Sequence, residues 1–171
     1  TGEGTKVLNN LSAGPHSVVA NITGNDNYTS KQISKQFTVD KLAPSMEIFV
    51  PDSPIAANAT ADIVVKVGGN ATGNVTIYID NVRYEAPIVD GEAVLPIDTT
   101  KAGTFTVTAQ YIGDDNYTGG VNNTAQTYTV NKFDINMTYT NVTVADDNTV
   151  TFEVKLNMTD AKGNVTINYN N

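Results

Sequence analysis

Apolar and polar residues alternate strictly along much of this chain. Phe105, Val107 and Ala109 alternate with Thr104, Thr106, Thr108 and Gln110, and Ile77 and Ile79 straddle Tyr78. Phe152, Val154 and Leu156 alternate with Thr151, Glu153, Lys155 and Asn157. A period of two sends one set of side chains to each face of a strand. It predicts half-buried antiparallel strands and an all-β fold. Clusters of Gly, Asn and Asp at 68–74, 80–81, 90–91, 98–103 and 113–123 supply the turns. No stretch offers an amphipathic helix of useful length. Between 43 and 132 the pattern predicts strands near 46–50, 61–67, 74–79, 82–85, 92–97, 104–112 and 125–131. Ile48, Val65, Ile77, Val94, Phe105, Val107 and Val130 are expected inside, and Tyr78, Tyr84 and Tyr128 outside.

The pattern repeats. Gly24-Asn-Asp-Asn-Tyr-Thr29 returns as Gly113-Asp-Asp-Asn-Tyr-Thr118, and Phe37-Thr-Val-Asp-Lys41 as Tyr128-Thr-Val-Asn-Lys132. Gly73-Asn-Val-Thr-Ile77 returns as Gly163-Asn-Val-Thr-Ile167. The spacing is about 90 residues, which is the scale of an Ig-like sandwich of seven short strands. Residues 43–132 form one whole unit. Residues 1–42 match the second half of a unit, with strands expected near 5–8, 16–22 and 35–39. Residues 133–171 match the first half of another, with strands expected near 151–157 and 164–169. The two halves are complementary, so the chain reads either as a window on a longer array or as a subunit assembling head to tail. The joints, Asp40-Lys-Leu-Ala-Pro44 and Asn131-Lys-Phe-Asp134, are not flexible Gly/Ser tethers, and Pro44 restricts its neighbourhood. A fairly stiff end-to-end string of units is expected.

Composition narrows the function classes. The 171 residues include 24 Thr and 21 Asn, no Cys or Trp, one His, and a net charge of −8. Disulfides, cysteine–zinc sites and thiol catalysis are excluded. An acidic chain with ten scattered basic residues is a poor ligand for nucleic acid. No apolar run approaches the ~18 residues of a membrane span, so no membrane insertion is expected of this segment.

The strand Gly103-Thr-Phe-Thr-Val-Thr-Ala-Gln-Tyr111, then Gly113-Asp-Asp-Asn-Tyr117, then Thr129-Val130, resembles a bacterial-type Ig-like repeat domain. The Asn- and Thr-rich, cysteine-free composition is most similar to the adhesin-like cell-surface proteins of methanogenic archaea. The resemblance covers essentially the whole chain. It implies tandem Ig-like β-sandwich units in an extracellular stalk or adhesin, without naming a ligand. One departure is His16, which stands where the second unit has Phe105.

Candidate chemistry is sparse. Asn-x-Ser/Thr occurs at Asn10, Asn21, Asn27, Asn58, Asn70, Asn74, Asn116, Asn122, Asn136, Asn141, Asn157 and Asn164, against about four sites expected by chance from the same composition. This points to N-glycosylation of an exported protein. A solvent face built from Asn and Thr also makes such tripeptides, because i and i+2 share a face. Asn27, Asn70, Asn116 and Asn122 fall in expected loops, where alternation does not force them. Asp26, Asp114 and Asp115 place oxygens in a turn, which suits calcium, but hairpin-turn chemistry explains the same residues. The tyrosine that follows, Tyr28 or Tyr117, is expected to pack across the sandwich end with its hydroxyl on a loop carbonyl. His16 has no acid or nucleophile near it, so no catalytic residue, enzyme activity or cofactor is expected. Asp146-Asp147 reads as a solvated turn. Lys66 and Lys155 alternate outward, which argues against a buried isopeptide crosslink.

The expected role is structural, as a stalk or fibre segment. The alternative is direct adhesion to a glycan or protein of a host or cell surface. The expected partners are neighbouring repeats or head-to-tail copies of the same chain.

Overall fold

The computed structural model describes residues 2–147, 149–159 and 161–168. It contains eleven strands and, among these residues, no helix. One compact unit spans 1–131 and a second spans 132–171.

In the first unit, β1 (Gly14–Ile22) and β2 (Lys31–Val39) form a separate antiparallel hairpin. The remaining strands are β3 (Met46–Phe49), β4 (Asp62–Val67), β5 (Asn74–Ile79), β6 (Val82–Val89), β7 (Glu92–Pro96), β8 (Gly103–Gly113) and β9 (Thr118–Val130). They are ordered β3-β4-β7-β6-β5-β8-β9. This is an all-β, Ig-like sandwich. The first part of β6 pairs with β5, from Val82 to Pro87, and its last two residues, Ile88 and Val89, pair with β7. One strand thus passes from one sheet to the other, as the corner strands of packed sheets do. Ile55, beyond the end of β3, adds a parallel bridge to Val130.

Two tight turns shape the middle. Asp80-Asn81 joins Ile79 to Val82 and Asp90-Gly91 joins Val89 to Glu92, each with positive φ at both central residues. Two-residue hairpins need that geometry to match strand twist, and Asp, Asn and Gly tolerate it best.

The core is built from Ile63, Val65, Val67 and Ala93 together with Val75, Ile77, Val107, Ala109, Tyr111, Tyr128 and Val130. All seven expected strands between 43 and 132 are present, and Ile48, Val65, Ile77, Val107 and Val130 are buried. Three expectations are corrected by strand pairing. Val94 is exposed and Ala93 buried, because Ala93 lies opposite Val65 and Val94 opposite Val64. Tyr128 is buried, because it lies opposite the inward Phe105 and stacks on it at 5.1 Å. Phe105 itself, at the end of the sheet, is only half-buried. Directly opposed residues must share a face, so one inward residue fixes its partner.

β9 begins at Thr118, seven residues earlier than expected, and bulges between Gln126 and Asn122. The glycines read as loop residues are part of the strand. A Cβ on Gly119 would lie 2.9 Å from the Ile112 carbonyl oxygen, so close backbone approach requires glycine there.

The second unit contains the hairpin β10 (Met137–Val144) and β11 (Val150–Leu156), paired Met137↔Leu156 to Val144↔Val150. β3 and β4 pair in the same way, Met46↔Val67. Two expected strands did not form. Residues 5–8 carry no strand, nor do 164–168, while Tyr169 lies outside the described residues. Their repeat counterparts, β7 and β5, each hold two hydrogen-bonded neighbours. Alternation makes a segment able to be a strand, and a ladder partner makes it one.

Candidate functional site

The best-organised polar cluster lies at one end of the sandwich, around the turn between β8 and β9. Asp114 Oδ1 accepts from the backbone N–H of Asn116 and of Tyr117, each at 2.8 Å. Its Oδ2 accepts from Thr72 N–H at 2.8 Å and from Thr72 Oγ1 at 2.9 Å. Partial burial opposes the charge on Asp114. The Thr72, Asn116 and Tyr117 hydrogen bonds outweigh it and hold the carboxyl well below the usual carboxylate range. Tyr111 donates to the Thr72 carbonyl at 2.8 Å, and Tyr117 Oη accepts from Asn70 N–H at 2.9 Å. Tyr117 does pack across the sandwich end, although its partner is an amide, not a carbonyl, whereas Tyr28, after the corresponding turn of the first hairpin, is 73% exposed. Gly69 makes room for it, since a Cβ there would meet the Tyr117 hydroxyl at 2.2 Å.

In this geometry Asp114 is committed to the turn. Both oxygens already serve four donors in a structural clasp, whereas calcium needs about six or more converging oxygens. Asp26 and Asp115 are exposed, and no cluster of three or more acidic or histidine ligands occurs among the described residues. In the first hairpin Asn25 takes the place of Asp114, accepting from Asn27 N–H and Tyr28 N–H at 3.0 Å each. The same turn therefore forms twice with a neutral and a charged acceptor.

A depressed carboxylate pKa stabilises the fold above the unfolded value of about 4, and the contribution fades as pH falls through the folded value. Asp114→Asn should therefore melt below the parent at pH 7 and 5. The gap should start to narrow below about pH 4, where the carboxyl of the unfolded chain takes up its proton while that of the folded parent is still ionised. It should go on narrowing as pH falls further. Thermal melts at a series of pH values check this; a gap constant to pH 2 would remove Asp114's charge from the account.

The first hairpin is seamed to the same sandwich end. Leu42 N–H donates to the Asn116 carbonyl at 2.9 Å and Thr118 N–H to the Leu42 carbonyl at 2.8 Å. Ala13 N–H donates to Asn116 Oδ1 at 2.9 Å, and Lys41 Nζ to the Asp114 carbonyl at 2.5 Å. A recess lies along this seam, lined by Leu11, Ala13, Val39, Leu42, Asn70 and Tyr117.

Of the twelve sequon asparagines, Asn10, Asn21, Asn27, Asn58, Asn70, Asn74, Asn116, Asn136, Asn141, Asn157 and Asn164 are exposed. Asn122 is the exception. It lies in β9 and not in a loop, is half-buried, and donates its amide to the Met46 carbonyl at 2.9 Å. Asn157 Oδ1 accepts from Asn136 N–H at 2.9 Å, so these two sites share a clasp.

The remaining candidates have structural places. His16 Nε2 donates to the Ser12 carbonyl at 2.7 Å, and its ring stacks on Phe37 at 5.4 Å. That is the pairing of Phe105 with Tyr128, reproduced in the first hairpin. Lys66 pairs with Glu92 at 3.0 Å and lies 5.3 Å from the Phe49 ring centroid, on the exposed face. Asp147 Oδ1 accepts from Thr149 Oγ1 and N–H, which holds its carboxyl below the usual range.

One feature was not visible in the sequence. A crevice of about 300 Å³ is lined by Tyr84, Phe105, Tyr128, Asp80, Asp98 and Lys101, with aliphatic walls. Burial, followed by the charges of Asp80, Tyr84 and Asp98, pushes the Tyr128 hydroxyl up. The residues come from three strands, a tight turn and a loop, so no local motif marks them.

Residues 50–131 match the family described as bacterial Ig-like domain (group 3). No curated protein matches the chain. Folds of this kind are typically non-catalytic and are common in extracellular and surface proteins. The matched span, a little under half of the chain, begins after β3 and reaches one residue past β9. The likeness therefore falls on the segment that buries Ile77 and Tyr111 between two sheets in an Ig-like sandwich fold.

Proposed function

We propose that the chain is a structural segment of an extracellular stalk or fibre, built from tandem Ig-like units of about 90 residues, and that it has no enzymatic role. The seam carries this reading. A hairpin with the turn and ring pair of β8–β9 is tied to the next sandwich by backbone pairing at Leu42 and Tyr117. A linker joined in that way transmits orientation from unit to unit, which is what a spacer requires. Amide hydrogen exchange tests it. Leu42 and Thr118 N–H should exchange as slowly as strand amides of β8. Exchange at the rate of unstructured peptide would leave the hairpin free to swing and would remove the argument.

The surface location rests on the sequons. Mass spectrometry of protein from its native source should find sugar on Asn27, Asn70 and Asn116, whose loops are exposed. Asn122 should be bare, because its amide nitrogen is already committed to Met46. Twelve bare asparagines would count against export. Relatedness to archaeal adhesin-like proteins belongs to the same proposal.

A second reading, direct adhesion to a glycan, is favoured by the crevice beside Tyr84. Aromatic faces beside carboxylates suit the apolar faces and hydroxyls of a sugar. It requires that glycan retention be lost in Tyr84→Ala.

A further inference from the structure

The crevice beside Tyr84 is built wholly from the complete sandwich. Tyr84 lies opposite Ile77 across the β5–β6 ladder, and directly opposed residues share a face. Ile77 is fully buried, yet Tyr84, on the same inner face, is 41% exposed. β7 of the other sheet ends at Pro96, and Pro96, Asp98 and Lys101 line the crevice together with Tyr84. The two sheets thus part at this end and leave a mouth of about 300 Å³.

Its polar groups are fixed in place but have capacity left. Tyr128 is 2% exposed, and its ring stacks on Phe105. Tyr111 and Tyr117 have their hydroxyls bonded to Thr72 and Asn70. The Tyr128 hydroxyl has no such partner among the described residues. No fully buried side-chain oxygen or nitrogen lacks a partner, so this hydroxyl meets solvent in the crevice it lines. Asp80 Oδ1 accepts from Thr106 N–H and Asp98 Oδ1 from Thr100 N–H, each at 2.9 Å. The Oδ2 atom of each accepts no hydrogen bond among the described residues, and Lys101 forms no ion pair with either there.

An occupant must therefore donate to two carboxylate oxygens, meet a phenol, and lay an apolar surface on Tyr84 and the aliphatic walls. The hydroxyls and C–H faces of a sugar ring do all three. A volume of about 300 Å³ is at the small end for ligand sites and limits the occupant to about one ring. Two carboxylates against one lysine repel a sugar that carries its own carboxylate. Neutral hydroxyls gain instead, because hydrogen bonds to an ionised acceptor are the strong ones.

We infer that the crevice takes the uncharged end of a glycan, one sugar ring deep, and turns acidic sugars away. This rests on the glycan reading above and adds the class of sugar.

Amide NMR titration of the 171-residue chain tests it. The neutral probes are the methyl glycosides of glucose, galactose and mannose, and the acidic probes are those of glucuronic and galacturonic acid. At least one neutral probe should shift the Tyr84, Asp98 and Phe105 amides saturably. Both acidic probes should bind at least about tenfold more weakly. Asp80→Asn combined with Asp98→Asn keeps both Oδ1 acceptors and removes the charge, so it should close most of that gap. Tyr128→Phe deletes a hydroxyl that no described protein group holds, so its melt should match the parent's while neutral-probe affinity falls about fivefold. Unchanged affinity in Tyr128→Phe overturns the inference. Acidic probes that bind as well as the neutral ones also overturn it, and leave the glycan reading standing. So does Tyr84-dependent retention of a glycan by a chain that responds to none of the five probes. No response to the probes together with no glycan retention overturns both.

Discussion

Tyr111→Ala should cost about 4 kcal/mol of folding free energy, the range for deleting a large core aromatic. The ring is among the largest fully buried side chains and lies in the common cluster with Val75, Ile77 and Val107. Its loss opens a cavity that β8 and β5, paired directly at Val75↔Tyr111, cannot close without breaking their ladder. It also removes the donor from the Thr72 carbonyl, on the loop that Asp114 grips. Tyr111→Phe separates the two effects, because it keeps the ring and deletes only the hydroxyl, for about 1 kcal/mol. Phe105→Ala, at a half-buried position, should cost less than Tyr111→Ala. Chemical denaturation of the three variants checks the order. Equal losses from Tyr111→Ala and Phe105→Ala would mean that the core is centred elsewhere.

Gly113→Ala should cost more than about 2 kcal/mol, through a backbone that an L side chain strains to adopt. Gly113 opens the β8–β9 turn at φ +94°. An added Cβ would lie 2.8 Å from both Gly119 N and the Tyr117 carbonyl oxygen, which are backbone atoms with no side-chain freedom to yield. Relief would displace Tyr117 from Asn70 and Asp114 from Thr72. Gly2→Ala is the control, because nothing lies within 4 Å of a Cβ there. The same denaturation measurement applies, and equal stability for the two variants would show that the turn is not strained.

The architecture was legible because its signal is local. A period of two marked strands, Asp-Asn and Asp-Gly marked tight turns, and the 90-residue echo marked the units. What was missed depends on pairing. The inward set of β7 is decided by β4, through Ala93 opposite Val65, and the burial of Tyr128 by Phe105 on β8. Periodicity gives the alternation of a strand, and only its neighbour gives the phase. The same limit explains the segments near 5–8 and 164–168: Val165 and Ile167 alternate with polar neighbours, yet among the described residues neither segment has a ladder partner. At the sandwich end, Asp114 was read as a turn residue or a calcium ligand from its neighbours in sequence. Its function as a clasp depends on Thr72, forty-two positions away, which no local motif could indicate.

The bridge between Ile55 and Val130 has a mechanical consequence. Ile55 N–H donates to the Thr129 carbonyl and Asn131 N–H to the Ile55 carbonyl, each at 2.8 Å, and Thr129 N–H donates to Ser53 Oγ at 3.0 Å. The two segments run parallel, one close to where the chain enters the sandwich and the other where it leaves. Tension along the chain pulls them past each other lengthwise, so these bonds are sheared together. An antiparallel pair pulled from its open end, such as β1–β2, peels one bond at a time. The sandwich therefore resists stretching most where entry and exit strands lie side by side, and gives way there in a single step.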